Sequence, residues 1–137
     1  MNIAQYTKAA SLEEAWELNQ KRSAVVLGGC CWLRLSPQRR IAQAIDLSAL
    51  GLDQIEEGED SFRLGAMVTL GQLEGHDGLA AFTQGAMKEA VRHIVGTQFR
   101  NMATVGGSIS GRFGFSDIWT LFLALDAQVE LYKGGIV

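Results

Sequence analysis

The chain has 137 residues, 47% apolar and 20% charged, which suits one domain or two small subdomains sharing a surface. Its net charge of −3, from 12 basic and 15 acidic residues, comes with no Lys/Arg cluster or aromatic–basic interleaving, so no nucleic-acid partner is expected. No apolar run reaches the roughly 18 residues of a membrane span. "MNIAQYTKAASLEE" also lacks the basic start and apolar middle of a signal peptide. A cytoplasmic protein without membrane insertion is therefore expected. The densest basic spot, Arg39-Arg40, reads as a solvated loop.

A strand is predicted around Ile3–Tyr6. "SLEEAWELNQKR" (Ser11–Arg22) is the clearest helix, with Ser11 as N-cap, Glu14 completing a capping box, and Leu12, Ala15 and Trp16 on one face. Glu13, Glu14 and Glu17 read as its solvated side. Ala24–Leu27 is a short buried strand ending in a double glycine, and Ala44–Leu47 is another. A small α/β unit over residues 1–55 follows.

A second unit, 56–137, opens with a hairpin whose turn is Glu56–Asp60. Thr69 caps a short helix, "LGQLE". Phe82, Ala86, Ala90 and Ile94 give Leu79–Val95 the spacing of one helix despite Gly85. Ser116–Leu125 is an apolar helix. "AQVELY" (Ala127–Tyr132) alternates as a strand with Val129 and Leu131 inward.

The glycines concentrate. There are 16, about 12% of the chain against a typical ~7%. Two stretches, "LGGCCWL" (Leu27–Leu33) and "TVGGSISG" (Thr104–Gly111), each place Gly-Gly after a short apolar segment. The second lies in Met102–Asp117, a composition poor for a helix or strand interior. Bare backbone lets N–H groups approach a ligand and form anion-binding concavities. Two such loops suggest an extended phosphate ligand held between them. Neither GxGxxG nor GxxxxGK[ST] is present, and no Lys sits near either loop, which argues against phosphoryl transfer. At the start of the apolar helix, either Ser116 or Asp117 is an N-cap, and Asp117 reads equally as an acceptor for a ribose or ribityl hydroxyl. The only cysteines, Cys30 and Cys31, are adjacent. A disulfide between neighbours is strained, so both are expected reduced, and two thiols cannot by themselves ligate an iron–sulfur cluster or a structural zinc.

These residues resemble the flavin-binding segment of the molybdenum hydroxylase family, the FAD subunits or domains of xanthine and carbon monoxide dehydrogenases. The family pattern IRN-x-ATIGGN, an SD pair and a helix ending LLALDA is similar to Phe99-Arg100-Asn101, Ala103–Ser108, Ser116-Asp117 and Leu123–Ala127. "LGGCCWL" resembles the family's AGGTDL loop, Phe62–Glu74 its LRIGA-x-VTL-x-EL segment, and "SLEEAWEL" its first helix. The resemblance spans nearly the entire chain, in order.

What it implies is an α+β fold of two small α/β subdomains, of the vanillyl-alcohol-oxidase-like FAD-binding type, with the cofactor in a cleft between them. Both glycine loops would wrap the FAD pyrophosphate, the first through Leu27, Gly28, Gly29, Cys30, Cys31 and Trp32. The second would act through Thr104, whose hydroxyl meets phosphate, with Gly106, Gly107 and Ser108. Asp117 would lie near the ribityl or adenosine side. Arg100 and Asn101 read as bracing the loop through backbone groups, with a place in the flavin pocket as the alternative. Trp16, Trp32 and Trp119 read as core rather than as stacking residues, and His76 and His93 as surface or helix residues with no metal role. Electrons would arrive from a molybdopterin-binding large subunit and a 2Fe-2S small subunit and leave to NAD or another acceptor. Molybdopterin and 2Fe-2S clusters would sit on those partners only.

The sequence departs from the family pattern at three places. Cys30 and Cys31 replace a Thr and a polar residue, Ser108 replaces an Asn, and family members continue beyond Val137. These departures keep two alternatives open: a truncated or degenerate module that serves subunit assembly without flavin, and a stand-alone small-ligand binder.

Overall fold

In the computed structural model of the chain, residues 2–35 and 40–137 are described. Arg39 of the basic pair lies outside them, and Arg40 opens a strand. Strand β1 (Asn2–Lys8), helix α1 (Leu12–Asn19), β2 (Ala24–Leu27) and β3 (Arg40–Asp46) come first. The three strands form a parallel sheet in the order β1-β3-β2, with Ile3 opposite Ile41 and Val25 opposite Ala44. β3 is the central strand, and Ile41, Gln43, Ala44 and Ile45 are all buried, as a strand covered on both faces requires. Gln43 escapes the cost of burial because its amide donates to Thr7 Oγ1 (3.0 Å) and Ala44 O (3.1 Å).

Helix α1 starts where Ser11 predicts, with Glu14 N donating to Ser11 Oγ at 3.1 Å. The Glu14 carboxylate reaches back to Ala10 N rather than to the cap residue itself. The helix ends at Asn19, three residues short of the expectation, and it buries Ala15 and partly covers Leu18 while Leu12 is exposed. Ala9, Ala15 and Ile45, with Leu18, Ala24, Leu47 and Leu50, make a small first core.

The second, larger core gathers Val68, Leu70, Leu73, Leu79, Met87, Val91, Val105, Ile118 and Leu121. The hairpin of β4 (Ile55–Glu57) and β5 (Phe62–Leu64) flanks it, with its turn at 58–61 rather than 56–60. Helices α2 (Leu70–Gly75), α3 (Asp77–Phe82), α4 (Ala86–Arg92), α5 (Thr97–Arg100), α6 (Val105–Ser110) and α7 (Asp117–Ala124) supply the rest. α2 and α7 both pack on α4. Thr69 caps α2 in a full capping box with Gln72.

Three expectations fail here. Leu79–Val95 is not one helix: Gln84 (φ 51°) and Gly85 (φ 85°) take left-handed conformations and split it into α3 and α4. Thr83 serves both pieces, donating to Leu79 O at 2.7 Å and accepting from Met87 N at 3.1 Å. The stretch after Thr104 is a short helix, α6, rather than an open loop. Finally, β6 (Glu130–Leu131) pairs only with β7 (Gly135–Ile136) in a terminal hairpin, so Leu131 has no layer to face and is exposed.

Candidate cofactor site

The first glycine stretch leaves β2 and turns sharply. Cys30 adopts φ 58°, and Arg34 N closes a helical turn on Cys30 O. Left-handed and right-handed residues in succession line up backbone N–H groups in the manner of an anion nest. No acceptor is found among the described residues for the N–H groups of Gly29, Cys30, Cys31 or Trp32. The first loop therefore carries a run of unspent donors.

The second stretch is different. Val105 N donates to Val68 O (2.9 Å), Gly106 N to Ala66 O (2.8 Å), and Ser108 N to Thr104 O (2.9 Å). Gly107 N donates to Thr104 Oγ1 at 3.2 Å. The expected cradle of free N–H groups in this loop is therefore absent, because tertiary contacts and the Thr104 cap consume them. What remains is the Thr104 hydroxyl proton, which has no acceptor among the described residues, on a side chain held at the start of α6. Ser108 sends its own hydroxyl back to Thr104 O at 2.9 Å.

The glycines do a second job that sequence reasoning missed: they let the two stretches touch. A Cβ on Gly28 would lie 2.7 Å from Thr104 Oγ1, and one on Gly29 would overlap Met102 O. Gly106 meets Ala66 in the same way, with Ala66 Cβ 2.9 Å from a side chain there. By contrast, a Cβ on Gly107 would meet only Thr104 Oγ1, at 3.0 Å. No sequence signal distinguishes these glycines, since each clash partner is more than 35 residues away or depends on a tertiary turn.

A cleft of about 860 Å³ opens beside this junction, a volume typical of small-molecule sites. Gly28, Gly29, Cys30, Cys31, Trp32, Thr104, Gly107, Ser108 and Asp117 line it, whereas Leu27 and Gly106 do not. Leu27 ends β2 opposite Asp46. Val25, His93, Ile94, Phe113 and Phe115 also line the cleft and were not singled out as site residues. Their signal was weak, because isolated apolar residues in a sequence read as core and a lone histidine as a surface or helix residue.

Burial pushes both thiols above the usual cysteine range, and for Cys30 the neighbouring Cys31 and Asp46 add to the rise against Arg34. Both are therefore neutral at pH 7 and present no charge to an anion. Their Sγ–H groups face Gly28 O (3.3 Å) and Gly29 O (3.6 Å). At the start of α7 the cap is Ser116, whose Oγ accepts from Trp119 N, while the exposed Asp117 carboxylate has no partner among the described residues. Arg100 is buried and braces neighbouring elements rather than the glycine loop, with Nε 2.7 Å from Glu74 Oε2 and Nη1 3.3 Å from Ile94 O.

Residues 2–136 match the family described as "FAD binding domain in molybdopterin dehydrogenase". The chain is 33% identical over 135 residues to the uncharacterized protein YgfM of Escherichia coli K12, covering 96% of this chain and 51% of that one. It is 33% identical over 132 residues to the nicotine 6-hydroxylase medium subunit of Paenarthrobacter nicotinovorans, covering 92% and 46%. Carbon monoxide dehydrogenase from Hydrogenophaga pseudoflava superposes with a TM-score of 0.86 at 26% identity, over 97% of this chain and 48% of that one. The chain spans about half the length of the curated relatives it matches.

The chain belongs to the family of FAD-binding domains of molybdopterin dehydrogenases, with the α+β fold of the medium subunits. The residues present fit that cofactor. The first loop offers donors for a pyrophosphate, Thr104 offers a hydroxyl, and the cleft supplies both apolar walls and a free carboxylate.

Proposed function

We propose that this chain forms the FAD-holding part of an electron-transfer subunit of a molybdenum-containing hydroxylase or dehydrogenase. Electrons reach its flavin from 2Fe-2S and molybdopterin centres on partner subunits and pass to NAD or another acceptor, in the cytoplasm. The bound flavin supplies the redox chemistry, and the protein holds and orients it. The observation that carries this reading is the unspent N–H run at Gly29–Trp32 facing Thr104 and Gly107 across one cleft. Among the described residues no helix is long and apolar enough to cross a membrane.

The pyrophosphate lies along the first loop, with its charge met by N–H groups from residues 29–32 and by the Thr104 hydroxyl. Gly107 contributes space rather than a donor. The two cores are taken as two subdomains, with the joint upstream of the 55/56 boundary read from the sequence, which would cut β4. The joint falls closest to Gly51 (φ 65°), since the carbonyls of Leu52, Asp53 and Gln54 already accept from the second group.

The test is a visible absorbance spectrum of the purified protein before and after FAD addition and desalting. Retained flavin bands are expected. Gly107→Val should abolish retention with at most a modest fall in melting temperature, because beyond its own helix a Cβ there meets only Thr104 Oγ1, at 3.0 Å. Full flavin occupancy in that variant would exclude the pyrophosphate assignment. A wild-type protein that stays colourless would favour an assembly module.

A further inference from the structure

Trp32, Phe113 and Phe115 form a cluster that the loop packing does not require. Trp32 lies 5.3 Å from Phe113 and 5.8 Å from Phe115 between ring centroids, and the two phenylalanines are stacked at 5.5 Å. The triad joins the two glycine stretches. Trp32 follows left-handed Cys30, and both phenylalanines lie in the turn between α6 and α7. A Cβ on Gly111 would strike the Phe113 ring, so that glycine lets the ring fold back over the end of α6. Yet the rings stay accessible, with Trp32 45% and Phe115 70% exposed on the cleft. Leaving large aromatic faces in water forgoes burial energy, which a planar ligand ring would recover.

We propose that Trp32 and Phe115, steadied by Phe113, stack the adenine of the dinucleotide, and that Asp117 accepts from the adenosine ribose. This rests on the FAD reading above. Three observations favour adenine over the flavin ring. Asp117 stands two residues from Phe115 on the same cleft with a free carboxylate, the group that dinucleotide folds use to hold a ribose diol. The triad offers faces rather than hydrogen bonds, and adenine binding needs no more, whereas a flavin is tuned by polar groups at its ring nitrogens. The imidazole of His93, which could supply such a group, lies beyond α4, on an element remote in sequence from the triad.

The test compares FAD with FMN, which lacks the adenosine, by calorimetric titration of the purified protein. Phe115→Ala should weaken FAD by about tenfold or more, the usual yield of base–aromatic stacking. It should leave FMN within about twofold. Phe115→Tyr should retain FAD affinity, and Asp117→Asn should lower FAD alone. ADP should bind the wild type and lose the same factor in Phe115→Ala. Folding is not at risk, since the ring is mostly in solvent. Equal losses of FAD and FMN would move the triad to the flavin ring and overturn the proposal, as would unchanged affinity for FAD and ADP. A wild type that takes up neither flavin would overturn the FAD reading, and this proposal with it.

Discussion

Gly29 sits where a single methyl group decides whether two distant stretches can meet. Its missing side chain admits the backbone of Met102 and Ala103, which no rotamer change can move aside. Gly29→Ala should therefore cost about 1–3 kcal/mol in urea unfolding, the usual range for overpacking, and should lower flavin affinity as the loops separate. Gly75→Ala is the control, since nothing lies within 4 Å of a Cβ there and the position ends a helix. Equal stability in both variants would show that the first loop is free to shift. Cys30 is the counterpart case. It takes φ 58° without being glycine, and its thiol turns onto Gly28 O instead of reaching out as a family threonine hydroxyl would. In the proposed complex, backbone donors rather than this side chain would carry the anion.

At the scale of elements, the break between α3 and α4 has a definite cause. Gln84 N donates to Ala81 O and Gly85 N to Ala80 O at 2.7 Å, the paired bonds of a Schellman ending with a left-handed glutamine where glycine is usual. Gln84→Gly should stabilise by up to about 1 kcal/mol, and Gly85→Ala should destabilise by about 1–2 kcal/mol. Thermal melts of the two variants moving in the same direction would refute this. The sequence carried the periodicity of Phe82, Ala86, Ala90 and Ile94 but not the turn, because apolar spacing survives a short break in register. The caps at Ser11, Thr69 and Ser116 were legible, since each depends on residues within three positions. Helix α6 was not, because four glycine and serine positions argue against it locally and only contacts with Ala66 and Val68 impose it. The site was legible as two glycine stretches and an Asp. Which stretch keeps its donors depends on the partners the other has found across the fold.

The whole molecule has two cores with little holding them together beyond the loop junction. The terminal hairpin reaches both. Arg63 pairs with Glu130 at 2.9 Å, Tyr132 Oη donates to Glu13 at 3.0 Å, and Lys133 lies 4.0 Å over the Trp16 ring while pairing with Glu13. These groups are largely exposed, so such contacts add little. A dinucleotide seated against residues 29–32 and Thr104 would touch both halves at once, so its binding energy adds to their association. FAD at 100 times its Kd should add about 2.7 kcal/mol to stability. For a chain of this length that raises the melting midpoint by roughly 10 °C. Scanning calorimetry without FAD should show a broad or double transition, the smaller sheet-containing core melting first. With FAD the two should merge and move up together, the shift growing with ligand concentration. A rise confined to one of two transitions would place the ligand on one core alone, and a midpoint indifferent to FAD would mean that the cleft does not hold it.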